Sequence, residues 1–466
     1  MIEFLLNAPA YVKVGVSFAG ILLTNRLGAS LGFAILLFSV VLSLWSGTGI
    51  PGLVFQVKSF GIPENFLLPV VILLLLFFTE SLNKAGRMER TVVALKSWLN
   101  NKKMLLAGLP ALVGLLPMPG GAIFSAPLVA SIDGSGELEA EQKAAINYWF
   151  RHIWEYWWPL YPGVILAIRY SELPTATFLL IQIPFTFAAA FAGYFFMLKK
   201  VQRENFRNTE NRKLEPAAFL SALGPIAILV FISVLGSAVL PKIGLGGTLS
   251  SLLSMLIGLI ISIAVVFCGN TSAWIPSLGM LKKTGTWQII ILIIGILAFS
   301  ATIKAPLDMA GTTIVTLMRD EFIHAGIPLI AVIMMIPFIS GLATGIAMGF
   351  VSASFPVVFA LLGQSPSLSV TAATTALAFT FGFMGMMLSP IHVCFVVTCG
   401  YFKTRLFDNY RYIIRPIMIV LIASLILSGL FPSIEITFHP QASYFLPVSS
   451  RVTAFVSVDS WISFES

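Results

Sequence analysis

Between Phe322 and Phe402 the sequence has no aspartate, glutamate, lysine or arginine, and it has none between Lys103 and Asp133. Charged residues make up 10% of the 466-residue chain and apolar residues 58%, against about 25% charged in an ordinary soluble domain. A soluble fold is excluded, because it could not hide the charge-free intervals from water. Stretches of about 20 nearly charge-free residues recur, each long enough for a helix to cross a bilayer. The chain therefore reads as a polytopic membrane protein whose backbone groups are satisfied inside helices.

Cysteine is scarce too. Cys268, Cys394 and Cys399 all lie in apolar runs, are odd in number and show no metal-ligand spacing, so neither a disulfide framework nor a metal site is expected. There is no HExxH, no GxSxG, no pair of intramembrane aspartates and no GxxxxGK[ST]. Hydrolase, metalloprotease and nucleotide-driven chemistry thus lack visible carriers, and the chain is not expected to be an enzyme. The N-terminus, MIEFLLNAP, places an acid where a signal peptide carries basic residues, so no cleavage is expected. The net charge of +8 sits in short segments between apolar runs, the pattern of cytoplasmic loops and not of a nucleic-acid surface.

Apolar runs predict spans near residues 8 to 24, 28 to 46, 64 to 79, 152 to 169 and 175 to 198. A second series is predicted near 216 to 240, 246 to 268, 287 to 303, 368 to 400 and 411 to 431. Between the series, residues 199–215 carry six basic residues and no apolar run, as a cytosolic linker would. The expected organisation is a first membrane repeat (1–198), the linker (199–215), a second repeat (216–431) and a peripheral or disordered tail (432–466). Five spans per repeat would invert the second relative to the first. The basic segments from Lys84 to Lys103, Lys282 with Lys283, and Lys403 to Arg415 all fall where that arrangement needs cytosol.

The halves share a pattern. Gly120, Ser125 and Pro127 match Gly349, Ser354 and Pro356; Pro127 and Pro162 are 35 residues apart, and Pro356 and Pro390 are 34. In LLPMPGGAIFSAPLV (115–129), Pro119, Gly120 and Gly121 should interrupt any helix, since proline removes a donor and glycine weakens a helix by about 1 kcal/mol. The flanks are too short for two full spans and suit a re-entrant hairpin, and FISGLATGIAMGFVSASFPVV (338–358) reads likewise. Freed backbone groups persist at membrane depth only where protein or a polar cavity meets them. Broken helices at corresponding places in two halves point to a transporter's binding site. For any single glycine or proline the plainer reading is close helix packing or a kink.

The runs INYWFRHIWEYWWPLYPGVILA (146–167), LLPMPGGAIFSAPLV and LSPIHVCFV (388–396) resemble an uncharacterised prokaryotic integral-membrane family, domain of unknown function four hundred and one. The resemblance runs to about residue 431. Its layout is similar to the ion transporter superfamily, which includes gluconate, citrate, C4-dicarboxylate and arsenite permeases. The resemblance implies an all-α fold of two inverted repeats, each with a re-entrant hairpin and a discontinuous helix, in a prokaryotic cytoplasmic membrane. It implies secondary active transport of a small organic anion by an elevator-like motion, with Na+ or H+ as coupling ion, no other cofactor, and room for a homodimer. The Ser-Asn-Thr signature of the dicarboxylate carriers is absent from both hairpins. A channel, or an intramembrane enzyme, remains the alternative.

Expected site residues follow from these motifs. Pro119, Gly120, Gly121 and Ser125 of the first hairpin, Thr344, Gly345, Ser352 and Ser354 of the second, and Pro162, Ser389 and Pro390 at the later breaks are candidates for substrate or ion contacts. Arg151, His152, Glu155 and His392 are candidates for coupling or gating, since imidazole titrates near pH ~6.5. Asn147, Arg151 and Glu155 share a face at helical spacing. Four of the nine tryptophans lie between Asn147 and Tyr161, which also suits an interfacial aromatic belt. Glu80 with Lys84, and Lys304 with Asp308, read as scaffold pairs, and the hydroxyls as helix-packing contacts.

Overall fold

The computed structural model describes residues 8–86, 101–115, 121–133, 136–202, 216–268, 274–363 and 366–429. Pro119, Gly120, nearly all of the linker, most of the basic segment after Lys84 and the tail beyond 431 lie outside them. The described residues form nineteen α-helices and no sheet. The first half runs α1 (Ala10–Arg26), α2 (Leu31–Trp45), α3 (Gly49–Ser59), α4 (Pro63–Lys84), α5 (Lys102–Gly114), α6 (Ala122–Ile132), α7 (Ala140–Arg151), α8 (Pro162–Ser171) and α9 (Thr175–Gly193). The second runs α10 (Pro216–Val239), α11 (Gly247–Cys268), α12 (Trp274–Leu278), α13 (Thr284–Lys304), α14 (Ile314–His324), α15 (Leu329–Thr344), α16 (Ala347–Leu361), α17 (Leu368–Met387), α18 (Val393–Phe402) and α19 (Leu406–Gly429). Among the described residues, seven helices are long and apolar enough to cross a membrane, and the sharply bent pair α14 and α15, at 119°, would make an eighth.

One order of elements recurs in both halves: two short helices in succession (α5 and α6, α15 and α16), a helix that stops before a second short one (α7 and α8, α17 and α18), then a long helix (α9, α19). These elements pack mostly on one another, while α1 to α4 and α10 to α13 form a second body. The packing crosses the halves: α6 lies on α18 and α8 lies on α16. Small residues set the closest approaches, as expected where helices gain from contact and not from expelling water. A Cβ on Gly341 would overlap the Gly382 carbonyl oxygen, and one on Gly385 the Phe338 carbonyl oxygen, so α15 and α17 touch backbone to backbone.

Several sequence expectations are corrected. The span at 152 to 169 is not one helix: α7 ends at Arg151, residues 152–161 form turns, and α8 starts with Pro162 at its first position. The span at 368 to 400 is likewise split, between Met387 and Val393. Pro127 and Pro356 do not break the chain but lie inside α6 and α16. The turn of the second hairpin falls at Gly345, whose φ of +65° suits a residue without Cβ. The amphipathic α3 and α14, eleven residues each, are too short and too polar on one face to stand out as apolar runs.

Candidate functional site

Two chain breaks and the turn of the second hairpin meet in one buried region. At the first break, Tyr161 Oη donates to the Gly114 carbonyl and the Trp158 indole to the Leu115 carbonyl at 2.9 Å, so the end of α5 is strapped to residues 152–161. Trp154 donates to Ala111 O at 2.9 Å, Trp157 to Thr186 Oγ1 at 2.9 Å, and Trp149 to Ala189 O at 2.8 Å. The four tryptophans therefore tie α7 and the turns after it to α5 and α9, with Trp149 buried and the other three half-buried. At the second break, Tyr148 Oη donates to Met387 O at 3.1 Å and Tyr410 Oη to Leu388 O at 2.7 Å, answering carbonyls that the helix end leaves open.

The structure brings the four coupling candidates together. Arg151, His152, Glu155 and His392 are all buried, with exposures of 2%, 1%, 6% and 6%. His152 Nε2 and His392 Nε2 stand 3.1 Å apart, and Glu155 Oε1 lies 3.7 Å from His152 Nε2. Arg151 donates through Nη1 to Cys394 Sγ at 2.9 Å. Cys394, expected from its apolar run to be an ordinary buried residue, belongs to the cluster; its position two residues after His392 is the available signal. Asn147, on the same helix, reaches across the halves to Thr398 Oγ1 at 3.0 Å. The shared helical face stops at Arg151, because Glu155 sits in the turns beyond α7.

Gly345 and Ser389 adjoin the cluster. The Gly345 carbonyl faces His392 Nδ1 at 2.5 Å, and a Cβ on Gly345 would lie 3.0 Å from Ser389 Oγ. The start of α8 meets the start of α16, where a Cβ on Gly163, next to Pro162, would lie 3.0 Å from Ala347 Cβ. Two helix N-termini, with their partial positive charge, thus abut beside the cluster. Ser125 and Ser389 are fully buried with an unpaired Oγ. The other hydroxyls behave as packing contacts: Thr344 donates to Ser340 O at 2.8 Å, Ser352 to Gly349 O at 3.0 Å and Ser354 to Phe350 O at 2.6 Å. Gly121 caps α6, and Pro390 lies in the second break.

Beside His152 and Tyr156 the region encloses a crevice of only about 10 Å³. A much larger cavity of about 890 Å³ lies beyond the far ends of α8 and α16, lined by Glu172, Lys304, Arg319, Thr316, Phe359 and Thr371 among others. Of the expected scaffold pairs, Glu80 does join Lys84 at 3.9 Å, and also Lys283 at 2.9 Å across the halves. Asp308 instead accepts from the Thr312 N–H at 2.9 Å.

Comparison places the chain in a family. Residues 17–431 match the family described as "Protein of unknown function (DUF401)", and the chain belongs to it. No curated protein matches the sequence. Among solved structures, the fold is similar to the YdaH transporter of Alcanivorax borkumensis, with a TM-score of 0.53 and 14% identity over 84% of this chain and 90% of that one. The chain is a multi-pass membrane protein with the fold of that transporter.

Proposed function

We propose that this protein is an ion-coupled secondary transporter of a small organic anion such as a carboxylate or sugar acid. The observation that carries the reading is the convergence of both broken helices and the second hairpin turn on buried, polar side chains, with the abutting N-termini of α8 and α16 suited to a negative group. In this reading the two halves are inverted repeats and the helix pairs α5–α6 and α15–α16 are re-entrant hairpins. The substrate binds where these pairs meet the breaks, with Ser125 and Ser389 as free hydroxyls. Transport moves the body of α5–α9 and α15–α19 against that of α1–α4 and α10–α13, in an elevator-like step. The cavity of about 890 Å³, in the size range of ligand sites, is then a vestibule on the side opposite the linker, and the tight centre is a closed gate. A continuous channel fits less well with a crevice of about 10 Å³ at the centre.

The test is the melting temperature of the purified protein against sugar acids, di- and tricarboxylates and oxyanions, each with and without sodium and at two pH values. A ligand at 100 times its Kd stabilises by about 2.7 kcal/mol, which is readily seen. A hit that depends on sodium or on low pH supports coupled transport and names both partners. A flat panel in well-folded protein counts against an anionic substrate, and flux in proteoliposomes without coupling or countertransport would turn the reading to a channel.

A further inference from the structure

His152 Nδ1 lies 2.6 Å from the Tyr148 carbonyl oxygen, and His392 Nδ1 lies 2.5 Å from the Gly345 carbonyl oxygen. A carbonyl oxygen only accepts, so each Nδ1 carries its ring's proton and each Nε2 is left as a lone pair. Those two Nε2 atoms face each other at 3.1 Å. Two imidazole lone pairs at that distance repel unless they share a cation. Cys394 Sγ lies within 4.8 Å of a ring nitrogen of each histidine, and Glu155 Oε1 is 3.7 Å from His152 Nε2.

From this geometry we propose that His152 Nε2, His392 Nε2 and the Cys394 thiolate bind one divalent transition ion of the zinc class, with the Glu155 carboxylate as fourth ligand. With zinc–nitrogen bonds of about 2.0–2.1 Å, a nitrogen separation of 3.1 Å subtends about 100° at the metal, near the tetrahedral angle. A tetrahedral ion with a zinc–sulfur bond of about 2.3 Å sets nitrogen and sulfur about 3.5 Å apart. A sulfur already within 4.8 Å of a ring nitrogen of each histidine therefore needs only a short approach to become a ligand. Both imidazoles already make the contact that metal-bound histidines usually make, the second ring N–H given to a backbone carbonyl. Two imidazoles and a thiolate select such an ion over sodium, magnesium or calcium, which take oxygen ligands. Arg151, donating to Cys394 Sγ at 2.9 Å, favours the thiolate, and the Glu155 carboxylate offsets the guanidinium charge beside the ion. A proton shared by the two rings would account for the nitrogen pair but not for the sulfur and carboxylate that converge with it.

Spacing along the chain conceals these ligands, since the histidines are 240 residues apart and come from different breaks. An ion here would tie the first break, the second break and the turn at Gly345 into one unit. The inference does not depend on what the protein transports.

The experiment uses the full chain, purified in detergent, stripped with chelator and desalted after exposure to Zn2+, with Co2+ as a spectroscopic probe. One zinc per chain is expected, and the cobalt form should show thiolate-to-cobalt charge-transfer absorption. His152→Gln and His392→Gln should each weaken binding by about tenfold or more. Cys394→Ser should bind cobalt without the charge-transfer band, and Cys268→Ser, at the exposed cysteine, should match wild type. A stripped wild type that takes up no zinc leaves the nitrogens a shared proton and overturns the site. So does a cobalt complex without the band, or uptake unchanged in both histidine variants. The wild-type measurements decide the matter even where a variant fails to fold. Because the readout is metal content, a negative result here leaves the transport reading standing, and a flat ligand panel leaves this one standing.

Discussion

Lys102 is fully buried beside Asp133, with Nζ 3.7 Å from Asp133 Oδ1 and 3.1 Å from Glu137 Oε2, while Lys143 reaches Asp133 Oδ2 at 3.0 Å. One carboxylate therefore serves two lysines where α5 and α6 are joined to α7. Removing one member of a buried ion pair costs about 3–5 kcal/mol, because a charge is left without its partner. Asp133→Ala should cost about 3 kcal/mol, the lower end, since half-exposed Glu137 still faces Lys102. Lys102→Met, which removes the buried cation and keeps the volume, should cost clearly less. The order of the two melting temperatures checks this, and a reversed order would show that Lys102 is the indispensable charge. Gly114, at the other end of α5, makes a steric case. A Cβ there would overlap the Arg151 carbonyl oxygen, a backbone atom that cannot rotate away. Gly114→Ala should lose about 1–3 kcal/mol by overpacking. Gly15→Ala, with nothing within 4 Å of the added methyl, should gain up to about 1 kcal/mol from helix propensity. Equal melting-temperature shifts in the two variants would refute the close approach of α5 to the break.

At the scale of elements, the two short helices end alike. α8 stops at Glu172 and α18 at Lys403, both with φ of 55°, and they are the two non-glycine residues in the left-handed region among the described residues. A side chain there costs about 1–2 kcal/mol, so Lys403→Gly should raise stability by about 1 kcal/mol or a little less, after the entropy that glycine adds to the unfolded chain. A rise in melting temperature supports the strain, and a fall means that the Lys403 side chain holds more than the backbone loses. This pairing was not legible in the sequence, because nothing in Glu or Lys announces a left-handed turn. What was legible followed from charge and from helix punctuation. Glycine at Gly345 and proline at Pro162 marked real element ends, and the apolar runs marked most long helices. Proline was the less reliable sign, since Pro69, Pro110, Pro184, Pro337 and Pro416 lie inside helices just as Pro127 and Pro356 do. A helix surrounded by other helices and by hydroxyls can re-satisfy the one carbonyl that proline frees. Arg151, His152, Glu155 and His392 stand out in the sequence one by one, but the meeting of the two histidines does not, because 240 residues separate them.

For the molecule as a whole, charge is sparse enough that each charged side chain in a cavity shapes the local field. The cavity of about 890 Å³ holds Lys304 and Arg319 against Glu172, and a cavity of about 140 Å³ that shares Tyr170, Glu172 and Lys304 with it adds Arg169. Three cations to one acid, in a cleft with apolar walls such as Phe359 and Leu368, should concentrate anions and raise their rate of arrival. The same field should repel cations, so the sign of each substitution is fixed in advance. Lys304→Gln and Arg319→Gln should raise KM for an anionic substrate several-fold, Glu172→Gln should lower it, and kcat should change little, because none of the three belongs to the buried cluster. All three effects should shrink between low and high salt, since charges facing water are screened beyond a Debye length of ~10 Å at 0.1 M. Uptake into proteoliposomes at two ionic strengths measures this directly. If Glu172→Gln raised KM along with the two cation variants, the cavity would be a shaped contact and not an electrostatic funnel; if none of the three moved KM at low salt, substrate would enter by another route.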